Sequence, residues 1–102
     1  MKVELLHIDE CPNWEETGAR LRTALDAVGK SDVEIDYLLL TTPEEAALHP
    51  FAGSPTILID GQDPFPSGGP ISALACRVYR TGTGLAGSPT AEQLAQALRG
   101  RS

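Results

Sequence analysis

The chain has 102 residues, 41 per cent of them hydrophobic and 22 per cent charged, which is the composition of one small globular domain (1–102). No disordered tail, coiled coil or collagen-like repeat fits it. Fourteen acidic and eight basic residues give a net charge of −6, a sign that repels phosphate backbones and anionic lipid, so neither nucleic acid nor membrane is an expected partner. The charge is uneven. Residues 1–63 hold thirteen acids and four bases, a net of −9, whereas residues 77–102 hold four arginines and Glu92, a net of +3. No apolar run approaches the roughly 18 residues of a membrane helix. The stretch from Lys2 to Glu10 lacks the basic, apolar and small-residue regions of a signal peptide, so a cytoplasmic location is expected.

Val3, Leu5, Leu6 and Ile8 form a near-continuous apolar run, the pattern of a strand buried on both faces. A helix follows. Leu21, Ala24, Leu25 and Val28 recur at i, i+3, i+4 and i+7, and Gly29 is its stop signal. Two starts fit: a capping box of Asn13 with Glu16, or Cys11 followed by Pro12 at the first helical position. Residues 33–40 alternate as a second strand, and Thr42-Pro43-Glu44-Glu45 opens a short helix stopped by Pro50.

Gly53-Ser54-Pro55 is a turn into a third strand, Thr56 to Ile59, closed by the hairpin signal Asp60-Gly61. Residues 62–70 are a loop, with three prolines and two glycines. Residues 71–79 are expected to contain a fourth strand, and Thr90 with Gln93 caps a last helix ended by Gly100. The order is β-α-β-α-β-β-α: two crossover units, then a hairpin and a helix in an α/β sandwich.

Two cysteines are too few for a disulfide scaffold, and a cytosolic chain keeps both reduced. Cys11 stands between a buried strand and a helix start, where the helix dipole favours the thiolate by about 0.3–1 kcal/mol. Asp9 and Glu10 oppose that shift.

The element order, Cys11-Pro12-Asn13-Trp14 after the first strand, and Ser54-Pro55-Thr56 at the entry to the third together resemble the thioredoxin-like fold family. The resemblance spans nearly the whole chain. It implies a three-layer sandwich around a four-stranded mixed sheet, with Cys11 as nucleophile and Pro55 as a cis-proline facing it. Ser54, Pro55 and Thr56 would align a substrate backbone beside Pro12 and Trp14, and Arg80 or the glycine-rich loop after it would contact an anion. Trp14 occupies the place of that family's second cysteine, so exchange between neighbouring thiols is excluded.

What remains is a single active-site thiol resolved by glutathione or another small thiol as co-substrate, resolution by Cys76, or a fold kept for binding. A strand over 74–80 antiparallel to 56–60 would put Cys76 about 13 Å from the active edge at ~3.3 Å per residue. A disulfide needs Cα atoms within about 7 Å, so Cys76 is expected to be buried and inert unless the local fold differs. Thiol–disulfide exchange with a small molecule or a protein is the leading reading. A non-enzymatic binding module is the alternative, and a thiol-based mercury or organomercurial protein a third, implied by the resemblance of a short thioredoxin-like chain with Cys-Pro-x-Trp to relatives of organomercurial lyases.

Two further features carry less. Gly82-Thr83-Gly84-Leu85-Ala86-Gly87 spells a dinucleotide fingerprint, but the chain after it has no room for a second strand. His7 and His49 lack the paired short spacing of a zinc site, and no metal or cofactor is expected.

Overall fold

The computed structural model describes residues 1–9, 11, 13–65, 74–82 and 84–100. Its elements are β1 (Val3–His7), α1 (Asn13–Ala27), β2 (Ile35–Leu39), α2 (Pro43–Ala47), β3 (Thr56–Ile59), β4 (Tyr79–Thr81), β5 (Gly84–Ala86) and α3 (Ala91–Arg99). Among the described residues, none of these helices is long and apolar enough to cross a membrane.

The alternation along β1 explains its near-continuous apolar run. Val3 and Leu5 enter one core with Leu21, Ala24 and Leu25 of α1, Ile57 and Ile59 of β3, and Leu94, Ala95 and Leu98 of α3. Leu6 and Ile8 enter a second core with Cys11, Leu40, Ala46, Phe51 and Leu58. Successive side chains of a strand point to opposite faces, so a strand covered on both sides is apolar at most positions, with Glu4 and His7 the polar exceptions in β1. The sheet thus lies between α1 and α3 on one face and α2 with Phe51 on the other. Fully burying one such side chain contributes about 1.5–3 kcal/mol.

Local signals set the element ends. Thr42 Oγ accepts from the Glu45 N–H (3.1 Å) at the start of α2. Thr90 and Gln93 form a reciprocal capping box on α3 (3.1 and 2.9 Å). At the end of α1, Gly29 takes a positive φ of 78° and the Lys30 N–H reaches back to the Leu25 carbonyl (2.8 Å), a Schellman closure that needs glycine's conformational freedom. The structure starts α1 at Asn13 with Cys11 just ahead of it.

The sheet itself differs from expectation. It has three strands in the order β2-β1-β3, with β1 parallel to β2 and antiparallel to β3. The second β-α-β segment is therefore not a parallel crossover. No fourth strand joins this sheet among the described residues. Asp60 (φ 53°) and Gly61 (φ 83°) do turn the chain, but the return stops after one bridge from Ile59 to Gln62. Asp63 is then drawn off to Arg77.

Residues 71–73 of the expected fourth strand lie outside the described residues. Residues 74–78 form no ladder with β3; Cys76 instead makes an isolated parallel bridge to Ser54. Tyr79 to Thr81 pair with Gly84 to Ala86 as a separate hairpin. Gly84 to Ala86 of the glycine-rich stretch are thus the second arm of that hairpin. Gly87 follows it, where any Cβ would collide with the Asn13 side chain at the start of α1.

Candidate functional site

Cys11 and Cys76 are joined in a disulfide, with their Cα atoms 5.9 Å apart and 65 residues between them in sequence. Two expectations are corrected here. The cysteines are not both free, and Cys76 is neither buried nor remote. The 13 Å separation rested on an antiparallel pairing of 74–80 with β3, and that pairing does not form.

Ser54 brings the two cysteines together. Its hydroxyl accepts from the Ile8 N–H (3.1 Å), fixing it to the end of β1 three residues before Cys11. Its own N–H donates to the Ala75 carbonyl and its carbonyl accepts from the Arg77 N–H, both at 2.8 Å, so its backbone brackets Cys76 on either side. Ser54 is fully buried, and burial leaves each of these groups dependent on its partner.

The turn carrying Ser54 is built by its neighbours. Thr56 Oγ donates to the Gly53 carbonyl (2.5 Å) and accepts from the Ala52 N–H (3.1 Å). The Ser54–Pro55 bond is cis, as expected, and the Pro55 carbonyl accepts from the Tyr79 hydroxyl. Ser54 and Pro55, expected with Thr56 to align a substrate, thus hold the chain's own 75–79 segment, while Thr56 braces the turn that carries them.

That segment is anchored beyond the disulfide. The Arg77 guanidinium pairs with Asp63 at 2.6 Å, with the side chains 5 and 15 per cent exposed. It also donates to the Phe65 carbonyl (3.3 Å) and lies 4.4 Å from the centre of the Tyr79 ring. Phe65 meets Tyr79 edge-on at 5.3 Å. Burial raises the Tyr79 hydroxyl's pKa strongly; Arg77 opposes the rise and Asp63 adds to it. At Gly53 (φ 114°) a Cβ would lie 2.8 Å from the Arg77 Cβ, so only glycine lets the two backbones approach this closely.

Burial alternates along this segment. Arg77 and Tyr79 are buried, while Cys76, Val78 and Arg80 are exposed. Cys11 is fully buried in the second core. The disulfide therefore runs from the interior to the surface. Nearby, Ile8, Asp9, Leu40, Thr41 and Leu74 line a cavity of about 140 Å³.

The remaining expected site residues are placed differently. Pro12 lies outside the described residues. Trp14 faces the other core, stacked on His7 at 4.2 Å and edge-on to Tyr37 at 5.9 Å. It does not stand in for a second thiol, which arrives from residue 76 instead. Arg80 is exposed in the β4 hairpin, roughly 13 Å along the extended chain from Cys76, and its carbonyl accepts from Gln93 Nε2 (2.8 Å). His7 is buried with Nδ1 lacking a hydrogen-bond partner. Burial lowers its pKa, with the Asp9 carboxylate opposing. Among the described residues no three His, Cys, Asp or Glu side chains converge to hold a metal.

Sequence reasoning missed Gly53, Asp63, Arg77 and Tyr79. One signal was available for two of them, since Arg77 and Tyr79 at i and i+2 share a face of an extended segment. Asp63 is concealed in a loop rich in proline and glycine. Comparison with protein-family models, curated proteins and solved structures finds no match.

Proposed function

We propose that this chain is a thiol–disulfide exchange protein of thioredoxin-like type, working through the pair Cys11 and Cys76. The observation that carries the reading is a disulfide with one end in the core and the other at the surface, held by backbone bonds from Ser54. Reduction yields two thiols that this frame keeps within bonding reach. An incoming disulfide RS–SR′ is attacked by one thiolate, which forms a mixed disulfide and releases R′S⁻. The second thiolate then attacks the protein sulfur of that bond, closing Cys11–Cys76 and releasing RS⁻. Two electrons pass to the substrate, and a small thiol such as glutathione restores the dithiol form.

The substrate is a disulfide that exposes one sulfur, in a small molecule or a protein. The cavity lined by Ile8, Asp9, Leu40, Thr41 and Leu74, to which neither cysteine contributes, is at about 140 Å³ well below the roughly 300–1,000 Å³ of sites that enclose a whole small-molecule ligand. The test is reduction of a disulfide substrate with dithiothreitol as terminal reductant. Turnover by the native chain, abolished in the double variant Cys11→Ala/Cys76→Ser, supports the proposal; no rate above the uncatalysed background refutes it.

The complete burial of Cys11 favours one second reading, a binding module in which the bond is a structural cross-link. In that case the protein binds its partner equally well oxidised or alkylated, with no turnover.

A further inference from the structure

Resting on the exchange reading, we propose that Cys76 is the entry thiol and Cys11 the resolving one, the reverse of the order suggested by Cys11's place at a helix start. A thiolate attacks a disulfide in line with the sulfur–sulfur bond, so the sulfur it can reach is decided by access. Cys11 has no exposed surface and packs with Leu6, Ile8, Leu40, Phe51 and Leu58. Cys76 lies on the outward side of an alternating segment whose inward residues, Arg77 and Tyr79, are fixed to Asp63 and Pro55.

This arrangement separates the two roles. In the oxidised protein an external thiolate bonds to the Cys76 sulfur and the Cys11 thiolate departs. It leaves ahead of α1, a 15-residue helix whose N-terminal dipole favours an anion, while the apolar burial of Cys11 and the nearby Asp9 oppose it and favour uptake of a proton. In the dithiol form the Cys76 thiolate attacks the substrate disulfide and carries the mixed disulfide at the surface. Cys11 then attacks Cys76 from inside, so no substrate atom has to enter the core. Ser54 fixes the distance for that second step, because its hydroxyl holds the end of β1 while its backbone holds residues 75 and 77.

The experiment measures mixed-disulfide formation with oxidised glutathione by intact-mass spectrometry. Reduced Cys11→Ala, which keeps the core apolar, is compared with reduced Cys76→Ser, each normalised to its own urea-unfolded chain. Cys76 in the first variant is expected to react faster than Cys11 in the second by on the order of tenfold or more, since rate follows thiolate access. Equal rates, or a faster Cys11, overturn the proposal while leaving exchange itself standing.

A measurement on the native sequence does not depend on either variant folding. The oxidised protein is treated with reduced glutathione, trapped at mildly acidic pH with excess N-ethylmaleimide and peptide-mapped. Glutathione on Cys76 with the maleimide on Cys11 is the expected result, and glutathione on Cys11 overturns the assignment. Adducts on neither cysteine, with the disulfide intact, overturn both this assignment and the exchange reading.

Discussion

Opening the Cys11–Cys76 bond with dithiothreitol, without mutation, is expected to lower the stability of the folded chain by about 4 kcal/mol. The figure follows from the 65-residue separation, because in the chain-entropy account a cross-link restricts the unfolded ensemble by about 2.1 + 1.5R ln n in entropy units, n being the loop length. That is a large share of the roughly 5–15 kcal/mol that holds a small domain folded. Reduction is a cleaner perturbation than substitution. It leaves the Cys11 thiol in its apolar setting, where a free cysteine behaves as a small hydrophobe, and creates no cavity. The assay is urea unfolding of the oxidised and reduced proteins, followed by circular dichroism. With a slope of about 1–1.5 kcal/mol per molar urea, the midpoint falls by roughly 3 M.

A thermodynamic cycle links this loss to the chemistry. The same 4 kcal/mol is the factor, on the order of 10³, by which folding raises the effective concentration of one thiol at the other. Ser54 and the Asp63–Arg77 pair are what hold the thiols at that concentration once the bond is open. A loss below about 1 kcal/mol would refute the reasoning, because it would mean that the native frame does not hold the reduced thiols together.

Three further outcomes test the surrounding frame. Asp63→Ala strands a buried guanidinium and is expected to cost about 3 kcal/mol in urea unfolding, at the low end for a broken buried pair because the Phe65 carbonyl and the Tyr79 ring still face Arg77. Arg77→Met, which removes the charge itself, costs less; equal losses would contradict the buried-charge argument. Gly53→Ala meets both a φ of 114° and the Arg77 Cβ, and a loss of about 1–3 kcal/mol with faster reduction of the disulfide is the expected reading by gel-shift alkylation. His7, whose folded pKa lies below 6.5, is protonated more readily in the unfolded chain. Its share of stability is therefore whole above pH 6.5 and declines as pH falls from there towards the folded pKa. A His7→Gln variant should lose that slope in denaturation curves taken from pH 7.5 to 5, and an unchanged slope would assign it to other groups.

Much of the framework was legible in the sequence because it is set within a few residues. The caps at Thr42 and Thr90, the glycine closure at Gly29 and the turn at Asp60-Gly61 rest on backbone preferences and hydrogen bonds that span one turn of chain. The apolar runs of β1 and β3 were equally plain, since burial on both faces leaves its mark on most positions of a strand. The turn at Ser54-Pro55-Thr56 and a candidate thiol at Cys11 were marked as well. Their roles were not.

Which strand runs antiparallel, where the expected fourth strand goes and what Cys11 bonds to depend on groups far apart in the chain. The hydroxyl of Ser54 meets the N–H of Ile8 across 46 residues, Asp63 meets Arg77 across 14, and Cys11 meets Cys76 across 65. No spacing rule encodes such meetings, because each forms only after the sheet has fixed both partners and burial has made an unpaired polar group costly. The sequence by itself determined β1 to β3, the helices and the presence of a thiol at a strand-to-helix corner. Tertiary structure alone decided that the second thiol comes from residue 76, since only packing brings a segment from the far side of β3 onto the backbone of Ser54.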